Sequence, residues 1–227
     1  MQNKTENLGD KKQEIFKVYE VPDPVRINKV VKFIKKYFGD IKGLNILDCG
    51  ISKGGVSDIL SKDGANCFGI DINPREIEGV KIIQVDLNKE IPEFGIKFNV
   101  IFAGEIIEHL FDDRRFIRKC QDFLKPNGLL IITVPNLVSF LNRFAMFFGL
   151  IPLTAYVAAE FHYHFYTRRK LKNMIEEEGF EVLKATSSYW PLNIFSKIPM
   201  LGKIFSLLGS IFPTMGNQLI VFAKKVK

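Results

Sequence analysis

The stretch Glu105-Ile-Ile-Glu108-His109 packs two carboxylates and an imidazole into five consecutive residues. On a helical turn, positions i and i+3 share a face, so Glu105 and Glu108 are expected to converge. With His109, and with His162 further along, they offer two kinds of chemistry. An imidazole or carboxylate can take the proton of an oxygen nucleophile. Two carboxylates with one or two imidazoles also suit a divalent cation of intermediate hardness, such as Mg. A second set consists of Asp48, Asp71 and Asp86, each closing a short apolar run. Asp48 leads into Cys49-Gly50-Ile51-Ser52-Lys53-Gly54. Glycine there permits a tight turn and close approach of a ligand to the backbone. Asp71 follows about 20 residues later, the spacing at which an acid holds ribose hydroxyls in dinucleotide-type folds. Any one such acid is as readily a helix cap. Three in order point to one ligand-binding edge of a parallel sheet.

The elements that must position these residues alternate. Ile27, Val30, Val31, Ile34 and Phe38 recur at helical spacing behind Pro24, and Gly39 ends that helix. Strands are expected over 45–48, 66–71, 80–85, 98–103 and 129–134, with helices around 55–61 and over the stretch holding Phe116, Ile117, Cys120 and Phe123. Pro126-Asn127-Gly128 reads as a turn before the fifth strand. That strand is almost wholly apolar, as strands buried on both faces are. A charged helix over 168–179, a sixth strand over 180–185 and a seventh over 218–223 complete the pattern. The fold class is therefore α/β: a Rossmann-like, seven-stranded, mostly parallel sheet flanked by helices.

The bulk composition fits one domain of 227 residues, with 47% hydrophobic and 25% charged side chains. Residues 1–23 read as a polar lead-in and 24–227 as the domain. The formal charge of +7 is spread along the chain, which describes a solvated basic surface better than a nucleic-acid stripe. Three cysteines without framework spacing argue for a reducing compartment and against disulfides and Cys-type metal sites. No apolar leader opens the chain, and Leu137–Ala159 is broken by Asn142, Arg143 and Pro152, which makes it a poor membrane span. A cytoplasmic protein is expected.

Taken together, the motifs resemble the class I S-adenosylmethionine-dependent methyltransferases. The glycine-rich turn after Asp48 matches their Gly-x-Gly-x-Gly pattern, with Ser52 in place of the middle glycine. Phe98–Leu110 matches their fourth strand and following turn, and Leu124–Pro135 their fifth strand. His162-Tyr-His-Phe-Tyr-Thr167 matches the type 11/type 23 branch. The resemblance implies a cofactor, S-adenosyl-L-methionine. It implies a cofactor site of Asp48, Gly50, Ile51, Ser52, Gly54, Asp71, Ile72, Asp86, Leu87, Ala103 and Gly104. Asp71 would take the ribose, and Asp86 with Leu87 the adenine. Glu105, His109 and His162 are the implied catalytic residues, while His164 reads as structural. Two metal-using O-methyltransferase groups share the Glu-x-x-Glu-His pattern, one acting on ubiquinone precursors and one on the terminal ribose of small RNAs. On that likeness, Glu105, Glu108, His109 and His162 would hold a divalent cation.

The resemblance places substrate-cover insertions at 137–160 and 190–215. The second holds Ile194, Phe195, Ile198, Leu201, Ile204, Phe205, Leu208, Ile211 and Phe212, with Lys197 and Lys203 among them. These residues can cover the sheet, wall an apolar pocket, form a dimer interface or lie on an anionic membrane surface. The expected activity is O-methylation of a small or lipid-linked, quinone-like or glycan acceptor, with peripheral membrane contact as a further expectation. The alternatives are an RNA ribose 2'-O-methyltransferase and a non-catalytic cofactor-binding scaffold. For the RNA alternative, Arg168, Arg169, Lys170 and Lys172 offer phosphate contacts, but the sequence shows no stacking platform, so nucleic acid is the disfavoured partner.

Overall fold

The computed structural model describes residues 23–152, 155, 162–188 and 199–226. The lead-in expected over 1–23 therefore falls almost wholly outside the described residues, as do parts of both expected insertions, 153–154, 156–160 and 190–198.

Helix α1 (Pro24–Phe38) starts where Asp23 accepts backbone N–H bonds from Val25 and Arg26, and it stops at Gly39, whose φ of 73° a side chain would disfavour. Strand β1 (Asn45–Cys49), helix α2 (Gly55–Lys62), strand β2 (Asn66–Asp71) and strand β3 (Val80–Gln84) follow. Strand β4 (Phe98–Gly104) runs into a single 3-10 turn, Ile107–His109, and helix α3 (Asp113–Phe123). Strand β5 (Leu124–Pro135), helix α4 (Phe140–Phe147), helix α5 (Arg168–Glu177), strand β6 (Phe180–Ser187), helix α6 (Pro199–Ile211) and strand β7 (Gln218–Lys225) complete the order.

The seven strands form one sheet in the order β3-β2-β1-β4-β5-β7-β6. Only β7 runs against its neighbours. Successive residues of the central strands alternate between two cores. Leu47, Ile101, Leu130 and Ile132 pack with α3 and α5, while Ile46, Val100, Leu129 and Ile131 pack with α1 and α2. The sheet is thus the middle of three layers. Ile34, fully buried on α1, contributes roughly 1.5–3 kcal/mol by its removal from water.

One local expectation needs correction. Pro126–Gly128 does not precede the strand but lies within it, as a bulge. Phe98 of β4 pairs with Leu124 and Val100 with Leu129, so extra residues loop out of the ladder. Asn127 turns that loop with a φ of 59°, a conformation asparagine tolerates better than most residues.

The parallel strands direct β1 to β6 to end at one edge, where β7 begins: Asp71 pairs with Gln84, Pro135 with Gln218, and Ser187 with Leu219. Both α4, which follows β5, and α6, which joins β6 to β7, leave from that carboxyl edge. Asn136 ties the two together. It is buried, and its side-chain amide donates to the carbonyls of Thr214 and Gly216. The backbone N–H of Phe140 also donates to Met215 O at 2.9 Å.

Candidate active site

The glycine turn sits between β1 and α2. Gly50 and Gly54 take φ values of 73° and 89°, and Ser52, at the position of the family's middle glycine, takes 46°. The left-handed backbone explains why glycine suits all three places. A Cβ on Gly50 would meet Ile106 at 3.0 Å, and one on Gly54 would meet Ile77 at 2.6 Å. The amides of this turn are engaged inside the protein: Gly50 and Ile51 donate to Ile70 O, Gly54 to Ile51 O, and Ser52 to the Asp71 carboxylate at 2.9 Å. Asp71 also accepts from Asn73 N at 2.9 Å. Each carboxylate oxygen keeps a second lone pair. Asp71 is half-buried at the end of β2, and the neighbouring Ile72 exposes 56% of its surface.

The other expected cofactor residues lie at different depths. Asp48 is buried, paired with Gly69 one position before the ladder ends at Cys49 and Ile70, and Ser57 Oγ donates to it at 2.8 Å. Burial pushes the Asp48 carboxyl up to about 7. Asp48 therefore joins the turn to α2 from below. Ile51 is buried too, its side chain against Gly69. Asp86 follows β3, half-buried, accepting from Asn88 N and lying 3.5 Å from Lys89 Nζ. Leu87 and Ala103 are buried, and Gly104 is half-buried at the end of β4.

Glu105 and Glu108 part company. Glu105 is not helical: its φ is 56°, and its N–H donates to Thr133 O across the sheet edge. The expected helical face is thus broken before it starts. Arg26 Nη1 lies 3.3 Å from Glu105 Oε1. Glu108, on the 3-10 turn, is buried, and neither of its carboxylate oxygens meets a hydrogen-bond donor among the described residues. Burial raises the pKa of both acids. Arg26 works against that rise at Glu105, and the neighbouring Glu105 charge reinforces it at Glu108.

His109 and His162 meet edge to face, with ring centroids 4.6 Å apart. The segment carrying His162 is fixed by main-chain bonds. Tyr163 N and His164 N both donate to Glu108 O, Leu137 N donates to Tyr166 O, and the Tyr166 hydroxyl donates to Asp113 at 2.6 Å. Asn88 fixes the other side, donating to His109 O and accepting from Phe111 N. Desolvation, aided by His109, pulls the His162 pKa down to about 4, so its ring is neutral at pH 7. Ligand atoms of Glu108, His109 and His162 lie within 4.8 Å of one another. Glu105 is not in that cluster. His164 instead faces Asp113 and Phe111 O.

Two features escaped the sequence reading. Arg26 shares a helical stripe with Val30 and Ile34, both fully buried, and a charged residue on such a stripe was the available signal. Phe111 and Tyr163 form an exposed aromatic pair beside the histidines, centroids 4.4 Å apart. They are far apart in the chain, and no local pattern joins them.

The residues fit the implied cofactor: the half-buried Asp71, the exposed apolar Ile72 and Asp86 line one edge beside a turn whose glycines admit no side chain. Comparison with known proteins agrees. Residues 24–185 match the family model described as a methyltransferase domain. The ubiquinone biosynthesis O-methyltransferase of Azorhizobium caulinodans is 32% identical over 131 residues, 50% of this chain and 52% of that protein. Its counterpart in Rickettsia canadensis is 29% identical over 53% of this chain and 55% of that one. The chain thus spans about half the length of these curated relatives. Among solved structures, magnesium protoporphyrin IX methyltransferase from Synechocystis with bound SAH superposes with a TM-score of 0.59 at 15% identity, covering 88% of this chain and 81% of that one. A methyltransferase of Burkholderia thailandensis with bound 1,6-didemethyltoxoflavin and S-adenosylhomocysteine gives 0.63 at 12% identity, covering 98% and 87%. By the match of its sequence to the family model and of its sheet to these structures, the chain belongs to the methyltransferase-domain family and has the class I S-adenosylmethionine-dependent methyltransferase fold.

Proposed function

We propose that the protein transfers a methyl group from S-adenosylmethionine to an oxygen of a small or lipid-linked, quinone-like acceptor. The observation that carries this reading is the histidine pair His109–His162 held at the carboxyl edge beside an exposed aromatic pair. Asp71 would bind the ribose hydroxyls, Asp86 and Ile72 the adenine side. Gly50, Gly54, Ala103 and Gly104 would allow close approach. When bound, the cofactor supplies a methyl group already activated by its sulfonium. What remains for the chain is to align the acceptor, exclude water and take one proton. Neutral His162 accepts the hydroxyl proton on a ring nitrogen, and His109 packs against that ring. Phe111 and Tyr163 offer aromatic faces to a planar acceptor. Arg26 pairs with the Glu105 carboxylate. The names of the curated relatives support a quinone-like acceptor.

A second reading adds a divalent cation such as Mg. The unpartnered, buried Glu108 oxygens next to His109 and His162 favour it, since a buried carboxylate without a donor is costly. Glu108, His109 and His162 would hold the ion, whose charge would acidify an acceptor hydroxyl. An RNA acceptor is less well supported, because Lys170 is directed to Phe165 O and the Tyr166 ring, and Lys172 to Glu176.

The test is transfer of labelled methyl from S-adenosylmethionine to polyprenyl catechols and to lipid, aqueous and RNA fractions of a lysate. Label in the lipid fraction is expected. His162→Ala should lower kcat by about 100-fold, the usual yield of a positioned base. Loss of activity on chelation, restored by Mg, would select the metal reading. Label in RNA alone, or turnover on none of the fractions by a chain that binds cofactor, would replace the proposal with the RNA or scaffold reading.

A further inference from the structure

The carboxyl edge that bears the candidate site also carries two exposed apolar stripes. On α4 and its C-cap, Phe144, Phe147 and Phe148 recur at helical spacing and are all exposed, Phe147 with 83% of its surface. On α6, Leu207 and Ile211 form a second stripe, continued by Phe212, with Leu207 61% exposed. Surface aromatics scattered singly are ordinary, but grouped stripes mark a contact site. The opposite side of α6 is already used. Lys29 of α1 donates to Ser206 O and Ser210 Oγ, and to the carbonyls of Ser187 and Ser188, while Ser187 Oγ donates to Gly209 O. That lock fixes which face of α6 points outward. The Asn136 linkage joins α4 to the segment after α6, so both stripes belong to one edge.

Charge selects the occupant. No Asp or Glu occurs between Asp122 and Glu160, and residues 182–227 hold six lysines and no acid. Arg143 and Lys203, both exposed, sit within the two apolar helices. A second copy of the chain would set such cations against one another with no acid in these helices to pair them. No helix of the described residues is long and apolar enough to cross a membrane. α6, at 13 residues, reaches about 20 Å, short of the roughly 30 Å hydrocarbon layer.

We propose that α4 and α6 dock the carboxyl edge flat on an anionic phospholipid bilayer, the phenylalanines and leucines entering the headgroup boundary and Arg143 and Lys203 meeting lipid phosphates. The site mouth then opens toward the acyl layer, where an apolar acceptor is dissolved. Docking rests on exposure and charge alone and needs no cofactor, so it is tested apart from methyl transfer. The full chain is sedimented with vesicles of phosphatidylcholine alone or with about a third phosphatidylglycerol. Anionic vesicles should hold about tenfold more protein at low salt, an advantage that shrinks as salt rises. Phe147→Asp combined with Leu207→Asp should return the protein to the supernatant while leaving cofactor binding and circular dichroism unchanged. Failure to sediment with anionic vesicles would overturn the proposal, as would equal sedimentation with both. So would light scattering showing a dimer that the same pair of substitutions dissolves, which would assign the surface to a second copy.

Discussion

Asp48 shows how a single side chain can serve a site without facing it. Its carboxyl is buried against Ser57 and held neutral up to about pH 7, whereas the unfolded chain ionises it near 4. Between those limits unfolding releases a proton, so this residue subtracts stability as pH rises from about 4 to about 7, and the loss is constant above. Asp48→Asn keeps an oxygen for Ser57 and removes the titration. The stability of the parent minus that of the variant should therefore fall by about 4 kcal/mol across that range. Urea midpoints at acid, neutral and alkaline pH check it, and a flat difference would show that Asp48 ionises freely in the fold.

At the scale of elements, the cover is held by polar pins driven through apolar surfaces. Lys29 crosses from α1 to the ends of β6 and α6, and burial pulls its pKa down to about 8. Lys29→Met keeps the stem and removes the donors. Losing several bonds worth about 1 kcal/mol each should speed amide exchange in α6 by ten- to a hundredfold, with β1 and β4 unaffected. Uniform acceleration through the sheet would mean that α6 is not a separate unit. The glycine turn follows the opposite design, satisfying its amides internally. What it offers a ligand is the space left by the side chains missing at Gly50 and Gly54.

For the whole molecule, a three-layer architecture with one antiparallel strand leaves a single edge where six strands end. Cofactor, acceptor and cover must share it. If S-adenosylmethionine binds there, folding and binding are linked. At 100 times the Kd the cofactor should add about 2.7 kcal/mol and raise Tm by about 5–10 °C for a chain of this size. Calorimetry of the parent and of Asp71→Asn checks this. The parent should shift and the variant only slightly, and a parent melting at the same temperature with and without cofactor would remove Asp71 from the site.

Hydrophobic period and turn chemistry determined the layers and the mostly parallel sheet, because Val100 to Ala103 and nearly all of Leu129 to Val134 are apolar on both faces, as covered parallel strands are; the strand order itself came only from the tertiary structure. Local chain grammar also marked Gly39, Gly50 and Asp71. It misjudged Pro126–Gly128, since a bulge depends on the partner strand and not on the turn residues. It also set Glu105 and Glu108 on one face, because the chain's left-handed step at Glu105 is imposed by the bond from its N–H to Thr133 O. Which side chains meet across the edge was decided by tertiary structure alone. Arg26 with Glu105, Asn88 with the His109 turn, Asn136 with Thr214 and Gly216, and Phe111 with Tyr163 join residues tens of positions apart. Their encounter is fixed by the geometry of packing, which no periodicity along the chain records.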